Sequence, residues 1–290
     1  MTTRLPLEHY VTMAFAISSL SVAGVATRIG ILSLVDSSLF FPDSQLITVN
    51  VLGSFILGFA YGCGQLEQSL PFTLTGIAVG YCGSLTSFSS WINSILNTDS
   101  PAAVELLTGL SMPFVAFLVG EDIGAFLTSA FFPPRLREES DKSPSEFVAS
   151  IDKALVALVS MACVLTMVVI AAVGHSSISH ESLVASAIGP LGALPRHILA
   201  KALNERLKNF MLGTLLANLI AVIILGALSG CTAGNEWCRE STVGIAGSLS
   251  TVSSWVLDTV KIYRNKKPWA YFYCLVSVGA GIVLLIPFLN

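Results

Sequence analysis

Long apolar runs, separated by short polar stretches, set the pattern of this chain. Runs such as Leu155–Val173 and Phe210–Leu228 approach the roughly 20 residues a helix needs to cross a bilayer core. Nine spans can be marked: Tyr10–Leu34, Gln45–Cys63, Pro71–Leu96, Ala102–Ala130, Ile151–Val173, Glu181–Lys201, Phe210–Gly230, Thr242–Tyr263 and Trp269–Leu289. The one long polar stretch, Phe132–Ser150, contains PPRLREESDKSPSE and reads as a solvated linker. Open strands would leave backbone groups unpaired in lipid. No alternating ten-residue pattern suggests a barrel. The expected class is therefore an all-α polytopic membrane protein.

Charge tests the count. With nine spans, the N-terminus and the loops after spans 2, 4, 6 and 8 share one side. That side carries Arg4, Arg135, Arg137, Lys142, Lys153, Lys201, Arg206, Lys208, Lys261, Arg264, Lys266 and Lys267, and the other carries Arg239. This bias predicts a cytoplasmic N-terminus and an external C-terminus. Composition agrees: charged residues are 11% of the chain, against about 25% in soluble domains, and mean hydropathy is +0.77. The first span has no clear cleavage site and reads as a retained helix. The net charge of −3 says little about partners, and nothing in the sequence is a nucleic-acid footprint. The six cysteines fit no metal spacing. Cys63, Cys82, Cys163 and Cys274 read as packing residues. Cys231 and Cys238 share one loop, and are either a pair, if the loop is extracytoplasmic, or two free thiols.

The halves repeat. Arg28 and Arg196 lie inside spans in similar frames, GVATRIGIL and GALPRHILA, and an asparagine follows each by 22 residues, Asn50 and Asn218. GYCGSLTSFSSW (Gly80–Trp91) then matches GIAGSLSTVSSW (Gly244–Trp255) at seven of twelve positions. The expected plan is a four-span unit over residues 1–131, a polar loop and joining span over 132–175, and a second four-span unit over 176–290. A single joining span starts the second unit from the opposite side, so the repeats are inverted. Such pairs place ion or substrate sites at the repeat interface, on interrupted helices. The glycine and the Ser/Thr run compete with helical backbone bonding, so the third helix of each repeat is expected to be interrupted.

The polar lining points to an anion. Asn50, Asn218, Thr86, Ser87, Ser89, Ser250, Thr251, Ser253, Thr214 and Ser277 are uncharged donors, and Arg28 and Arg196 add fixed positive charge. The deep acidic residues are Glu121, Asp122 and Asp258, with no matched pair in the repeats. Taken singly, each Ser or Thr is more simply read as bonding the preceding helical turn. Only the repeated cluster points to a site.

Together, LITVNVLGSFILG (Leu46–Gly58), GYCGSLTSFSSW, GPLGALPRHIL (Gly189–Leu199) and GTLLAN (Gly213–Asn218) resemble the fluoride channel family. Its bacterial members are four-span proteins that form antiparallel dimers, and its eukaryotic exporters fuse two units through an extra span. The resemblance implies passive, selective fluoride export across the plasma membrane by a monomer acting as a fused pseudo-dimer. A membrane potential of 100 mV, interior negative, would drive an anion outward by about 2.3 kcal/mol per charge. The resemblance implies two pore aromatics that present positive ring edges to the anion; Phe88 and Trp91 match their positions in the first repeat, and the second repeat has Val252 and Trp255 there. It also implies a structural sodium ion on carbonyls at the helix breaks, at Gly83, Ser84, Gly247 and Ser248. The second repeat keeps Thr214, Asn218, Tyr273 and Ser277, with Leu46, Asn50, Leu107 and Ser111 at the matched positions of the first. The first repeat keeps Phe88 where the second has Val252. The expectation is one intact composite pore of Phe88, Thr214, Asn218, Trp255, Tyr273 and Ser277, in which the Asn218 amide donates to a dehydrated anion. The arginines are expected either to bond carbonyls freed at helix ends or to set the local anion potential, the structural role being the favoured one for both. The alternatives are an inverted-repeat secondary transporter of another small anion or solute, an embedded enzyme, and a scaffold. The four histidines form no i, i+4 pair, no Ser-His-Asp order is suggested, and no phosphate loop occurs.

Overall fold

The structure, a computed structural model, describes residues 6–34, 44–64, 69–97, 101–131, 146–173, 180–207 and 209–289. Most of the polar stretch Phe132–Ser150, with Arg4, Arg135, Arg137, Lys142 and Lys208, lies outside the described residues. Among the described residues every element is helical. In the first half these are α1 (Leu7–Leu34), α2 (Ser44–Gly62), α3 (Pro71–Thr75), α4 (Phe88–Asn97) and α5 (Ala102–Phe131). α6 (Glu146–Val173) follows, then α7 (His180–Ile188), α8 (Pro190–Leu203), α9 (Leu212–Ser229), α10 (Glu236–Ser241), α11 (Val252–Asn265) and α12 (Lys267–Leu285). Seven helical stretches are long and apolar enough to cross a membrane. Two segments marked as spans are missing from that count because each is broken into pieces.

Both breaks have one design. α3 passes into a π-helical stretch, Gly76–Cys82, and a short helical turn, Gly83–Leu85, before Thr86 turns extended (φ −90°, ψ 153°) and α4 begins. α10 passes through Thr242–Ala246 and Gly247–Leu249 before Ser250 turns extended (φ −87°, ψ 155°) and α11 begins. The two short turns pack against each other. The first and third helices of each half pack backbone to backbone. A Cβ added at Gly24 would lie 2.5 Å from the Tyr81 carbonyl oxygen, and one at Gly192 would lie 2.3 Å from that of Ile245.

Contacts at the helix ends record direction. Asp152, near the start of α6, accepts from the backbone N–H groups of Phe72 and Thr73 at 2.8 and 3.0 Å and from the Thr73 hydroxyl at 2.6 Å. It thereby caps the N-terminus of α3, whose preceding residue, Leu70, has no side-chain cap. Lys153 pairs with Glu8 at the start of α1, and Lys201 at the end of α8 sits over the Tyr10 ring. Arg264 at the end of α11 forms two bonds to Glu121 in α5, and Lys261 sits over Tyr61 at the end of α2. Thus the starts of α1, α3 and α6 lie with the end of α8, and the end of α11 lies with the end of α2. Cys231 and Cys238 form a disulfide in the loop between α9 and α10.

Candidate functional site

The chain divides its third helices so that each break is closed by the other half. A helix ending at Leu85 and restarting at Phe88 leaves orphan N–H groups at the restart. Thr86 Oγ1 accepts the N–H groups of Val252 and Ser253, both at 3.2 Å. Reciprocally, Ser250 Oγ accepts that of Ser89 at 3.2 Å. Hydroxyl contacts continue the seam: Thr86 to Thr251 and to Ser253 at 3.2 Å, Ser250 to Ser89 at 2.9 Å and to Ser87 at 3.2 Å. All six side chains are fully buried. The asparagines complete the caps. Asn50 Oδ1 accepts from the Ser87 N–H at 3.0 Å, and Asn218 Oδ1 accepts from the Thr251 N–H at 2.8 Å. Asn218 Nδ2 also donates to the Thr251 carbonyl at 3.2 Å, which occupies one of the two amide hydrogens expected to face an anion.

The arginines cross between halves. Arg28 donates through Nη1 to the Gly247 carbonyl at 2.9 Å and through Nη2 to that of Val243. Arg196 donates through Nε to the Ser248 carbonyl at 3.0 Å and through Nη2 to that of Val79 at 2.7 Å. Each guanidinium fills the space beside a glycine of the opposite half, with Arg196 against Gly83 and Arg28 against Gly247. Carbonyl oxygens solvate these charges without neutralising them, so the centre keeps two positive groups. Of the four residues that the resemblance gives to sodium, Gly247 and Ser248 share their carbonyls with an arginine. The N–H groups of Ser87 and Ser89, which would serve Gly83 and Leu85 in an unbroken helix, bond elsewhere. The Ser84 and Ser248 hydroxyls are buried without a hydrogen-bond partner. A carbonyl oxygen has two lone pairs, and oxygen-only donors suit a hard cation. The flanking guanidiniums favour one charge on it over two.

Phe88, Trp91 and Trp255 form a ring cluster. Phe88 lies 5.6 Å from Trp91 and 5.7 Å from Trp255, edge to face in both cases, and Trp91 lies 5.9 Å from Trp255. Phe88 belongs to the first half but sits against the last helix of the second: a Cβ added at Gly281 would lie 3.3 Å from its Cε1. Gly281 continues the buried face of α12 that carries Tyr273 and Ser277. On the neighbouring helices, Thr214 Oγ1 donates to Asp258 at 2.6 Å and accepts from Asn204 Nδ2 at 3.1 Å. Tyr273 donates to the Met211 carbonyl at 3.3 Å, and Ser277 to the Tyr273 carbonyl at 2.6 Å. Thr214, Asp258, Tyr273 and Ser277 are buried polar side chains of the second half, and Gly281, one turn beyond Ser277, lies beside the Phe88 ring.

The matched region of the first half differs, and here the structure corrects the expected register. Leu107 is 65% exposed and Ser111 is exposed too, so neither lines a buried path. The halves are offset by 168 residues at Arg28/Arg196 and Asn50/Asn218 and by 164 across the third helices, Trp91/Trp255; on the fourth helices the 168-residue offset is the one that pairs buried positions with buried positions. Glu105 is the counterpart of Tyr273, and Gly109 that of Ser277; all four are buried. A slip of two residues turns a helix by about 200°, which put the matched pair on the lipid face. At Gly109 the space of a side chain is taken: an added Cβ would fall 2.0 Å from Trp91 Nε1. That indole N–H donates to the Glu105 carbonyl at 3.1 Å. Leu46, opposite Thr214, borders a cavity of about 330 Å³ shared with Gln45, Ser94 and Asn97 among others.

Asn204 and Glu105 escaped the sequence reading, and Asp258 was named as acidic without a partner. Asn204 gave no signal, lying in a polar turn after α8. Asp258 and Glu105 lie inside apolar spans, which is itself a signal of function.

A family model described as CrcB-like protein, Camphor Resistance (CrcB), matches the chain twice, over residues 15–121 and 183–287. Fluoride export protein 1 of Neurospora crassa is 30% identical over 258 residues, 76% of this chain and 48% of that protein. Fluoride export protein 1 of Candida albicans is 28% identical over 306 residues, 92% of this chain and 77% of that protein. The fluoride-specific ion channel FluC of a Shewanella species (strain ANA-3) is 45% identical over 88 residues, 29% of this chain and 70% of that protein. The chain thus spans about half the length of its Neurospora relative. No solved structure gives a significant match.

Proposed function

Because this chain belongs to the CrcB-like protein family, we propose that it is a passive, selective fluoride channel that exports fluoride across the plasma membrane through one composite pore. The names of its relatives support fluoride as the ion. The observation that carries the single pore is the contrast between the fourth helices. Tyr273 and Ser277 present hydroxyls on a buried face that continues to Gly281 and the Phe88 ring. Glu105 and Gly109, at the same places in the first half, are occupied by the Trp91 indole.

In this reading the seven long helices and the two broken ones make nine spans. Two four-helix units, 1–131 and 176–290, are joined by the span within 132–175. The end contacts support inversion, since the start of α1 shares a side with the end of α8. The positive charges there support a cytoplasmic side. Fluoride gives up water for the hydroxyl and amide hydrogens of Thr214, Asn218, Tyr273 and Ser277, which rotate away from their internal acceptors. It then passes the positive edges of the rings. Asn50, Thr86, Ser87, Ser250 and Thr251 hold the crossing, and Arg28 and Arg196 pin it. Carbonyls of Gly83, Ser84, Gly247 and Ser248 would hold a sodium ion there, whose charge would tie the breaks together. One chain supplies both units and acts as a monomer.

Purified protein in liposomes loaded with potassium fluoride, opened by valinomycin, should release fluoride to an ion-selective electrode without a proton or sodium gradient. Chloride should stay inside under the same conditions. Flux that requires either gradient would replace the channel with a coupled transporter. An N-terminal tag accessible on intact cells would overturn the topology.

A further inference from the structure

The two pore tryptophans share a helical position and differ in what their indole N–H groups do. Trp91 Nε1 donates to the Glu105 carbonyl. Trp255 Nε1 is fully buried and has no hydrogen-bond partner. Its ring lies among Phe88, Trp91 and Phe114, at centroid distances of 5.7, 5.9 and 5.5 Å, and these rings offer no oxygen. Indole N–H is a donor only, and an unmade buried hydrogen bond is costly, so such a group in a well-packed cluster needs an occupant that accepts. The half that leaves this donor idle is the one that keeps Thr214, Tyr273 and Ser277 as buried polar side chains, and Phe88, beside Gly281, touches the Trp255 ring.

We propose that the Trp255 indole N–H is a direct hydrogen-bond donor to the permeating anion, a specificity-determining contact beyond that of a ring edge. The inference rests on the fluoride reading above. A small anion with concentrated charge gains most from a short, linear N–H bond. Chloride, larger and more diffuse, gains less. Trp91 cannot serve the same way while the Glu105 carbonyl holds its hydrogen.

Two measurements test this. Trp255→Phe keeps an aromatic ring and removes the N–H. It should lower fluoride efflux from liposomes about tenfold, the lower end of the range for a hydrogen bond to a charged group. Trp269→Phe, at the exposed start of α12, controls for loss of a tryptophan and should match the parent. On the parent protein in detergent, with indole nitrogens labelled, fluoride should shift the Trp255 N–H resonance and equimolar chloride should leave it in place. Parent-like efflux from Trp255→Phe, or a resonance that fluoride does not move, overturns the donor role. If Trp255→Phe fails to fold, the parent titration decides. Parent protein that releases no fluoride at all defeats the channel reading instead, and the titration still settles whether this N–H meets an anion.

Discussion

Tyr273 and Glu105 occupy equivalent places on the two fourth helices, and the chain treats them oppositely. On α12, Tyr273 and Ser277 sit on a face that leads past Gly281 to Phe88. On α5, Glu105 is buried and Gly109 is pressed against Trp91. Yet the central seam is nearly symmetric: Thr86 and Ser250 exchange caps, Asn50 and Asn218 each hold a restarted helix, and each arginine reaches into the other half. Structure has been kept in both halves where the two support one another. In the single-pore reading proposed above, lining is kept in one half only, since a fused chain needs one working path, whereas two identical chains must keep both.

The widest gap between the halves should appear at the lining. Tyr273→Ile should cut fluoride efflux about a hundredfold, the upper end for a donor to a charged group, and Phe88→Ile, which removes the ring edge that faces the anion, should also cut it sharply. Val252→Phe should leave it near the parent rate. Equal losses from both sets in liposome assays would restore two conducting pores. A smaller gap is expected at the asparagines. Asn218→Ala removes two bonds to Thr251 and a pore donor, for a loss of about tenfold, while Asn50→Ala should cost a few-fold at most. Similar efflux from the two variants, at equal loading, would break the comparison.

The arginines should behave alike. Arg28→Ala and Arg196→Ala each strand buried carbonyls, at about 1–3 kcal/mol apiece, and should lower folded yield and thermal midpoint while fluoride-over-chloride selectivity persists. Altered chloride passage with normal yield would make them part of the path. The smallest effect sharpens the contrast. Gly109→Ala pushes a methyl group onto the Trp91 indole, and overpacking of this kind costs about 1–3 kcal/mol. It should lower the melting temperature and reduce efflux far less than Tyr273→Ile does.

Much of this was legible in the residues. The GSL turn and the Ser/Thr run located both breaks, and the arginine and asparagine spacings located the repeat. The register of the fourth helix was hidden. A Tyr/Leu and a Ser spaced by four occur in both halves, and α5 is apolar on nearly every face, so periodicity could not say which face turned inward. Reciprocal capping was hidden too. Thr86 and Ser250 read as lining, because a sequence shows that hydroxyls are present without showing which backbone they serve.

The Asp152 contact has a consequence for how the protein is made. The start of α3 is finished by a carboxylate encoded some eighty residues later, on α6. The restart of α4 at Ser89 waits for Ser250, later still. During synthesis, then, the first half is inserted with these ends unsealed, and each seal closes only as a later segment reaches the membrane. A ribosome stalled after α5 should release a half that proteases recognise as unfinished.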